Sequence, residues 1–134
     1  MKRLCLVVGL LAFSAALQAQ VLDSRADVPF DFWLGQKLMP AGTYSISHLS
    51  GGAVRVQGEM DRSAAAMFLG ASISRPETHT DGKLEFIRYG NVYFLSKIWN
   101  PRQQYGYGVP KSARQKELAS RGIPSKTDIV LATK

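Results

Sequence analysis

Residues 83–99 read KLEFIRYGNVYFLSKIW, two apolar runs joined by Gly90-Asn91, and this stretch decides the expected fold. A Gly-Asn pair between apolar runs is typical of a two-residue hairpin turn. Pairing across it sets Tyr89 opposite Val92, Ile87 opposite Phe94 and Phe86 opposite Leu95. One predicted face carries Ile87, Tyr89, Val92, Phe94 and Ile98, and the other carries Leu84, Phe86, Leu95 and Trp99. Because both faces are largely apolar, we expect the hairpin at the centre of the domain, with a further layer on each side.

A second hairpin is predicted within residues 43–57. Tyr44 and Ile46 alternate with polar residues, which is the period-two pattern of a half-buried strand. A three-residue loop at 50–52 pairs Ile46 with Val56 and keeps the apolar side chains on one face. A two-residue loop would mix the faces, so the longer loop is preferred.

Shorter apolar runs and one helical segment complete the expected fold. Further strands are predicted at 28–34, 64–69 and 128–132, and polar loops at 70–82 and 102–108. Ser112 followed by Gln115 suggests a capping box, so a helix should run to about Arg121, before Gly122. The sequence therefore predicts a mainly β protein, a small antiparallel β-sandwich or open barrel with one C-terminal α-helix.

Residues 1–19 have the three parts of a signal peptide. Two basic residues follow Met1, residues 4–13 are apolar, and small residues come next. The apolar run is shorter than the roughly 20 residues that a membrane-spanning helix needs. We expect cleavage after Ala16 or Ala19 and export to the periplasm or the outside of the cell. Residues 20–134 then form a single β-rich domain with no transmembrane segment.

Composition limits how the mature domain is held together. Cys5 is the only cysteine and lies in the predicted signal peptide, so an apolar core must replace disulfides. Removing Lys2 and Arg3 lowers the 17 basic residues to 15 against 10 acidic ones, a net charge of +5. Cations cluster near the C-terminus: Lys111, Arg114, Lys116, Arg121 and Lys126. They could contact an anionic surface or form a solvated helix face, and no nucleic-acid partner is expected.

Four groups of residues follow one another along the mature chain: VPFDF (28–32), LMPAGTY (38–44), RYG (88–90) with YFLS (93–96), and PKS (110–112) with KELA (116–119). In type and order they resemble a group of small secreted proteins of acidobacterial type. That group has no known function. The resemblance therefore implies bacterial export and a shared β fold, and it implies no catalysis.

Residues that could carry chemistry form no recognisable motif. A zinc site would need His48 and His79 together with a carboxylate such as Asp81, and these three lack the usual ligand spacing. Two carboxylate pairs stand at predicted strand ends: Asp27 with Asp31, and Glu59 with Asp61. Such residues are usually turn formers. No Gly-x-Ser-x-Gly motif or phosphate-binding glycine loop is present. We expect no catalytic residue, no metal and no cofactor.

Aromatic residues supply the candidate ligand site. Rings in loops can stack on a sugar or contribute to a protein interface. The predicted ligand-binding residues are Trp33, Trp99, Arg102, Tyr105 and Tyr107, centred on the loop at 103–108. The alternative is a second core layer, with Trp99 under the helix and both tyrosines packed over one end of the sheet.

The function expected from these observations is an exported, non-catalytic binding or envelope-associated module. Its partner would be a cell-envelope polymer, a glycan or another envelope protein. The alternative is a β-barrel carrier of a small apolar ligand, which would need an internal cavity. A hydrolase has the least support, because it requires a cleft in which a histidine approaches a carboxylate.

Overall fold

The computed structural model describes residues 24–75, 81–101 and 103–133, and the predicted signal peptide lies outside them. The strands are β1 (Ser24–Val28), β2 (Phe32–Leu34), β3 (Lys37–Met39), β4 (Gly42–His48), β5 (Ala53–Gly58), β6 (Ala65–Leu69), β7 (Ala71–Ser74), β8 (Gly82–Tyr89), β9 (Val92–Trp99), β10 (Tyr105–Gly108) and β11 (Ser125–Thr133). A short 3-10 turn covers Ser50–Gly52, and α1 covers Ala113–Ser120. The protein is mainly β, as predicted.

One mixed sheet curls into a nearly closed barrel. Its strand order is β3-β2-β9-β8-β11-β1-β4-β5-β6. Past Gly70 the chain continues from β6 into β7, and β10 connects β7 back to β9, so the sheet returns almost to its start. Within the described ranges β2 and β9 form the one parallel pair, which makes the sheet mixed and not purely antiparallel.

The central hairpin has the three predicted pairs next to its turn, but its faces exchange farther out. An irregularity between Glu85 and Phe86 shifts the register, so that Leu84 lies opposite Ile98. An extra residue in one strand moves every later side chain to the other face. The predicted faces of Ile98 and Trp99 were therefore wrong. Ile98 belongs to the core cluster, and Trp99 lies on the outer face.

The second hairpin and the helix are confirmed. Ile46 lies opposite Val56, which is the register that the three-residue loop predicts. At the start of α1, the Ser112 hydroxyl oxygen accepts a hydrogen bond from the backbone N–H of Gln115 at 3.2 Å. Both features depend only on residues close together in the chain, which explains why sequence patterns predicted them.

Two segments predicted as loops are strands. Ala71–Ser74 lies within the predicted loop 70–82, and Tyr105–Gly108 lies within the predicted loop 102–108. These short strands pair with each other, and β10 also pairs with β9. Each strand has only four residues, and glycines and serines make up half of them, so the alternation is too short and weak to predict a strand without its distant partners. The predicted strand 28–34 is also shorter than expected: Val28 ends β1, and only Phe32–Leu34 forms a strand of its own, β2.

Aromatic side chains fill the barrel interior. Phe32 is fully buried and makes edge-to-face contacts with Tyr44 and Phe86, each at a centroid separation of 5.2 Å. Phe30 stacks on Tyr93 at 3.8 Å and meets Phe86 edge-on at 4.9 Å. The Tyr44 hydroxyl donates to the carbonyl oxygen of Pro40. Burial, assisted by the nearby Asp31 and Asp61 carboxylates, raises the pKa of Tyr44 to about 12.

The outer face of the central hairpin is covered in part. Phe94 is buried there, outside the main core cluster, and its ring lies 5.9 Å from that of Tyr89. Trp33 is its neighbour in the adjacent strand β2. The Arg114 guanidinium of α1 lies 5.0 Å from the Trp33 ring centroid. The helix thus contacts this side of the sheet at Trp33. On the outer face of the hairpin Phe94, Tyr89 and Trp99 are buried, whereas Lys97 is exposed, so the predicted burial on both sides is shown only in part.

Candidate functional site

Trp99 is a buried outer-face residue and not an exposed ring. It lies opposite Gly106 of β10 and is only 7% exposed. A Cβ at Gly106 would lie 2.9 Å from Trp99 Cε3 and 2.2 Å from the Ile98 carbonyl oxygen. The indole therefore packs over a position that has no room for a side chain. Trp33, not Trp99, is the tryptophan beside the helix.

Tyr105 and Tyr107 lie on the opposite face of β10 from Trp99, because side chains alternate along a strand. Tyr107 packs against the core cluster, and its ring lies 5.0 Å from that of His48. Tyr105 is 49% exposed. Arg102 lies outside the described residues. The structure therefore does not bring the predicted aromatic residues together on one face.

Arg75, which is not among the predicted site residues, is the polar partner of Trp99. Its guanidinium carbon lies 5.1 Å from the centroid of the indole ring. Arg75 Nη2 donates to the carbonyl oxygens of Gln103 at 3.0 Å and Asn100 at 3.4 Å. The pairing of β7 with β10 brings it there, and no sequence motif around position 75 indicates this contact.

Four buried polar atoms around this contact have no hydrogen-bond partner among the residues that the structure describes: Arg75 Nε, Arg75 Nη1, Trp99 Nε1 and Asn100 Oδ1. We call Arg75, Trp99 and Asn100 the Arg75 cluster. Buried polar atoms in proteins are nearly always hydrogen-bonded, because leaving them unpaired costs about 1–3 kcal/mol each. Three unpaired donors in one place therefore require a physical explanation.

A second feature is the place where the barrel fails to close. The β7–β10 ladder includes the hydrogen bond from Arg75 N to Gln104 O at 2.8 Å, and it ends with Gly108 opposite Ala71. If the ladder continued for two more residues in the same register, Pro110 would lie opposite Leu69, at a position where the two backbones exchange hydrogen bonds. Proline has no N–H to donate, so the ladder stops there.

Beyond that point β6 has a free edge. Gly58 N donates a hydrogen bond to Ala64 O, and Gly70 N donates one to Gly52 O. In this register the even-numbered residues of β6 exchange backbone hydrogen bonds with β5. The backbone groups of Met67 and Leu69 consequently point away from β5. Among the described strands β6 pairs only with β5. The side chains of these two residues are 62% and 70% exposed.

This free edge borders an open groove of about 420 Å³, which we call the seam groove. Its walls are the β2–β3 turn, β6 and the end of β10, formed by Leu34, Gly35, Gln36, Lys37, Ala65, Ala66, Met67, Phe68, Val109 and Pro110. Lys37 Nζ crosses it and donates to the carbonyl oxygens of Ser63 at 3.0 Å and Ala65 at 2.7 Å. A lysine that covers part of an edge limits uncontrolled strand pairing. The edge at Met67 and Leu69 remains uncovered.

The predicted acidic pairs have structural partners. Asp27 Oδ1 accepts from the Thr43 hydroxyl at 2.5 Å, and Asp31 Oδ1 accepts from Ala41 N at 2.8 Å. Glu59 Oε1 lies 2.5 Å from Arg25 Nε, and Asp61 accepts hydrogen bonds from Ser63. His79 lies outside the described residues. Over the described ranges, no group of three or more histidine, cysteine or acidic side chains is placed to hold a metal ion.

Three of the five C-terminal cations lie in separate surroundings. Arg114 lies over Trp33, and Arg121 Nη2 pairs with Glu117 Oε1 at 2.6 Å. Lys126 borders a smaller surface groove of about 340 Å³ beside the Gly90-Asn91 turn. These contacts fit the solvated-helix alternative for α1 better than a single anionic-surface site.

Comparison with known proteins assigns no family. No protein-family model matches the chain, and no curated protein or solved structure matches it significantly. No helix in the part of the chain that the structure describes has the length and apolar character needed to cross a membrane. Function therefore has to be argued from the Arg75 cluster and the seam groove.

Proposed function

We propose that this protein is an exported, non-catalytic binding module that captures an extended peptide segment of another envelope protein in the seam groove. The observation that carries the proposal is the free edge of β6. There the backbone groups of Met67 and Leu69 point away from β5, and Met67 lines an open, mostly apolar groove. Added strands bind such edges through main-chain hydrogen bonds, and neighbouring pockets select their side chains.

The surroundings favour a peptide with apolar and acidic residues. Met67 and Phe68 offer apolar surface, which suits alternate apolar side chains of a guest strand. Arg55 of β5 lies opposite Met67, and Lys111 follows Pro110 in the chain. Both cations are exposed. Cations at both sides of the groove attract an anionic partner and orient it. In this proposal the scaffold is an open barrel and not a two-sheet sandwich.

The alternative functions have less support. A carrier of a small apolar ligand would need interior space, whereas the rings of Phe32, Tyr44 and Phe86 occupy the barrel centre. A hydrolase would need grouped catalytic side chains, whereas the predicted acidic pairs form strand-end and turn contacts.

Peptide capture is tested with two substitutions at one position. Met67→Pro removes the edge N–H without breaking a β5 bond, and Met67→Ala keeps that N–H. The probe is a fluorescein-labelled heptapeptide of alternating valine and threonine with a glutamate at each end, followed by fluorescence anisotropy. We expect binding by the wild type and by Met67→Ala, and binding at least about tenfold weaker by Met67→Pro.

Circular dichroism melts of each variant show whether it is folded. Equal binding by folded Met67→Pro and wild type would contradict strand addition at β6. An absence of binding by the wild type up to about 1 mM peptide would contradict it too, since that limit corresponds to about −4.1 kcal/mol. Met60→Ala, at an exposed methionine outside the groove, is expected to bind as the wild type does.

Export is the second part of the proposal, supported by the basic, apolar and small-residue order of residues 1–19. Expressed with its full N-terminus in a bacterial host, the chain should leave the cytoplasm and begin at Leu17 or Gln20. N-terminal sequencing of the periplasmic fraction measures this. A full-length chain that starts at Met1 and stays in the cytoplasm would rule the signal peptide out.

A further inference from the structure

We propose that the Arg75 cluster binds an oxyanion, the carboxylate or phosphate group of a ligand. The cluster lies on the outer face where β7, β9 and β10 meet, whereas the seam groove is bounded by β6, the β2–β3 turn and the end of β10. This inference does not depend on peptide capture.

The first support is the charge of Arg75, for which the described residues supply no counter-ion. Arginine keeps its positive charge in proteins, and burying it without a counter-ion is unfavourable. Among the ion pairs of the described residues none includes Arg75, whose Nη2 has only carbonyl partners. Two of its nitrogen atoms, Nε and Nη1, are left buried with no partner. An oxyanion would supply both the opposite charge and the missing acceptors.

The second support is the chemistry of the neighbouring atoms. Trp99 Nε1 is donor-only, so it too needs an acceptor, and it belongs to the ring on which the Arg75 guanidinium rests. Asn100 Oδ1 adds one unpaired acceptor. Three donors with one acceptor suit an oxyanion that also carries a hydroxyl group, such as a hydrogen phosphate or an acidic sugar.

The third support is that the donors are held in place before any ligand binds. Two carbonyl oxygens, from Asn100 and Gln103, anchor Arg75 Nη2. The Arg75 guanidinium also contacts the Trp99 ring, and the tight packing of that ring on Gly106 restricts its movement. Preorganised donors lose little conformational entropy on binding.

The local charge also favours an anion. Lys83 lies opposite Trp99 in β8, although its Nζ is 3.4 Å from Glu85 Oε1. Lys97 Nζ lies 3.9 Å from Glu85 Oε2, so the single carboxylate is shared by two lysines. Arg75, Lys83 and Lys97 against Glu85 give these four described side chains a net charge of 3 − 1 = +2.

The test uses Trp99 as its own reporter. The chain has two tryptophans, so Trp33→Phe leaves Trp99 as the only indole. In this background, inorganic phosphate and glucuronate are titrated separately, with chloride keeping the ionic strength constant. We expect a saturable change in Trp99 emission with at least one of them. Phosphate alone would assign a phosphate ligand, glucuronate alone a carboxylate ligand, and both a general oxyanion site.

Matched substitutions tie the response to the cluster. Arg75→Gln should abolish saturation, and Arg75→Lys should weaken it at least about tenfold, because lysine keeps the charge but lacks the planar set of donors. Arg114→Gln removes the guanidinium at the other tryptophan position and should leave the titration unchanged. Because Arg75 variants could unfold, calorimetric titration of Trp99→Phe, which lacks the indole N–H, provides an independent measurement and should show weaker binding.

The proposal would be overturned if neither anion gave a saturable change up to about 10 mM. It would also be overturned if folded Arg75→Gln bound the anion as well as its parent does. The two proposed sites are separable. Met67→Pro should leave the anion titration unchanged, and Arg75→Gln should leave peptide capture unchanged. Failure at one site therefore leaves the other result standing.

Discussion

Replacement of Gly106 by alanine is expected to lower the melting temperature by about 10 °C, because the new methyl group has no space on β10. Its Cβ would lie 2.2 Å from the Ile98 carbonyl oxygen and 2.9 Å from Trp99 Cε3. The nearer contact is with backbone inside a sheet, which cannot rotate away. Overpacking of this kind typically costs about 1–3 kcal/mol and displaces the strand or the ring.

Gly108→Ala is the matched control for this prediction. It lies two residues farther along β10, and its nearest neighbours would be 3.7 Å away, an ordinary van der Waals distance. The melting temperature of this variant should stay within about 2 °C of the wild type. Circular dichroism melts of both variants measure the difference. Equal stability of the two would show that Trp99 does not pack over Gly106 as described.

Phe86→Ala is expected to lower the free energy of unfolding by about 4 kcal/mol, since truncation of a buried phenylalanine leaves a cavity. Phe86 is fully buried and makes edge-on contacts with Phe30 at 4.9 Å and Phe32 at 5.2 Å. Its loss removes the ring that joins the barrel interior to the stacked pair of Phe30 and Tyr93. We expect few other single substitutions in this domain to lower the free energy of unfolding by more.

Urea unfolding of Phe86→Ala measures this loss, with Leu131→Ala as the control on an exposed side chain. Leu131 is 65% exposed, so its truncation should change the free energy of unfolding by no more than about 0.5 kcal/mol. A loss below about 1 kcal/mol for Phe86→Ala would mean that the interior is loosely filled. That result would favour the carrier alternative over a solid scaffold.

The predicted ligand-binding residues show what sequence patterns can and cannot predict about a site. The aromatic candidates were chosen for ring type, and two of them, Tyr105 and Tyr107, for their place in a predicted loop. In the structure Trp99 is buried and Tyr107 packs against the core cluster. Among the described candidates, Tyr105 alone is about half exposed. The residue that gives the region its unusual chemistry is Arg75, in a segment predicted as a loop. Its contact with Trp99 joins positions 24 residues apart, and no local pattern encodes it.

The seam groove could not be predicted from the sequence either. Pro110 and Leu69 are far apart in the chain, and the missing N–H matters only because the register of β7 and β10 would set them opposite each other. A proline after a Gly-rich segment looks like ordinary loop composition in the sequence. Once the register is known, the same proline explains why the barrel stays open.

By itself the sequence determined the β class, both hairpin registers next to their turns, and the capped helix at Ser112, because each depends on neighbouring residues and local turn chemistry. The tertiary structure alone decided which face Ile98 and Trp99 occupy, where Arg75 lies, and where the ladder ends. Those outcomes depend on an irregularity and on pairings between distant strands. Backbone hydrogen bonds form between any residues that the fold brings opposite each other, so side-chain patterns along one segment do not specify its partner.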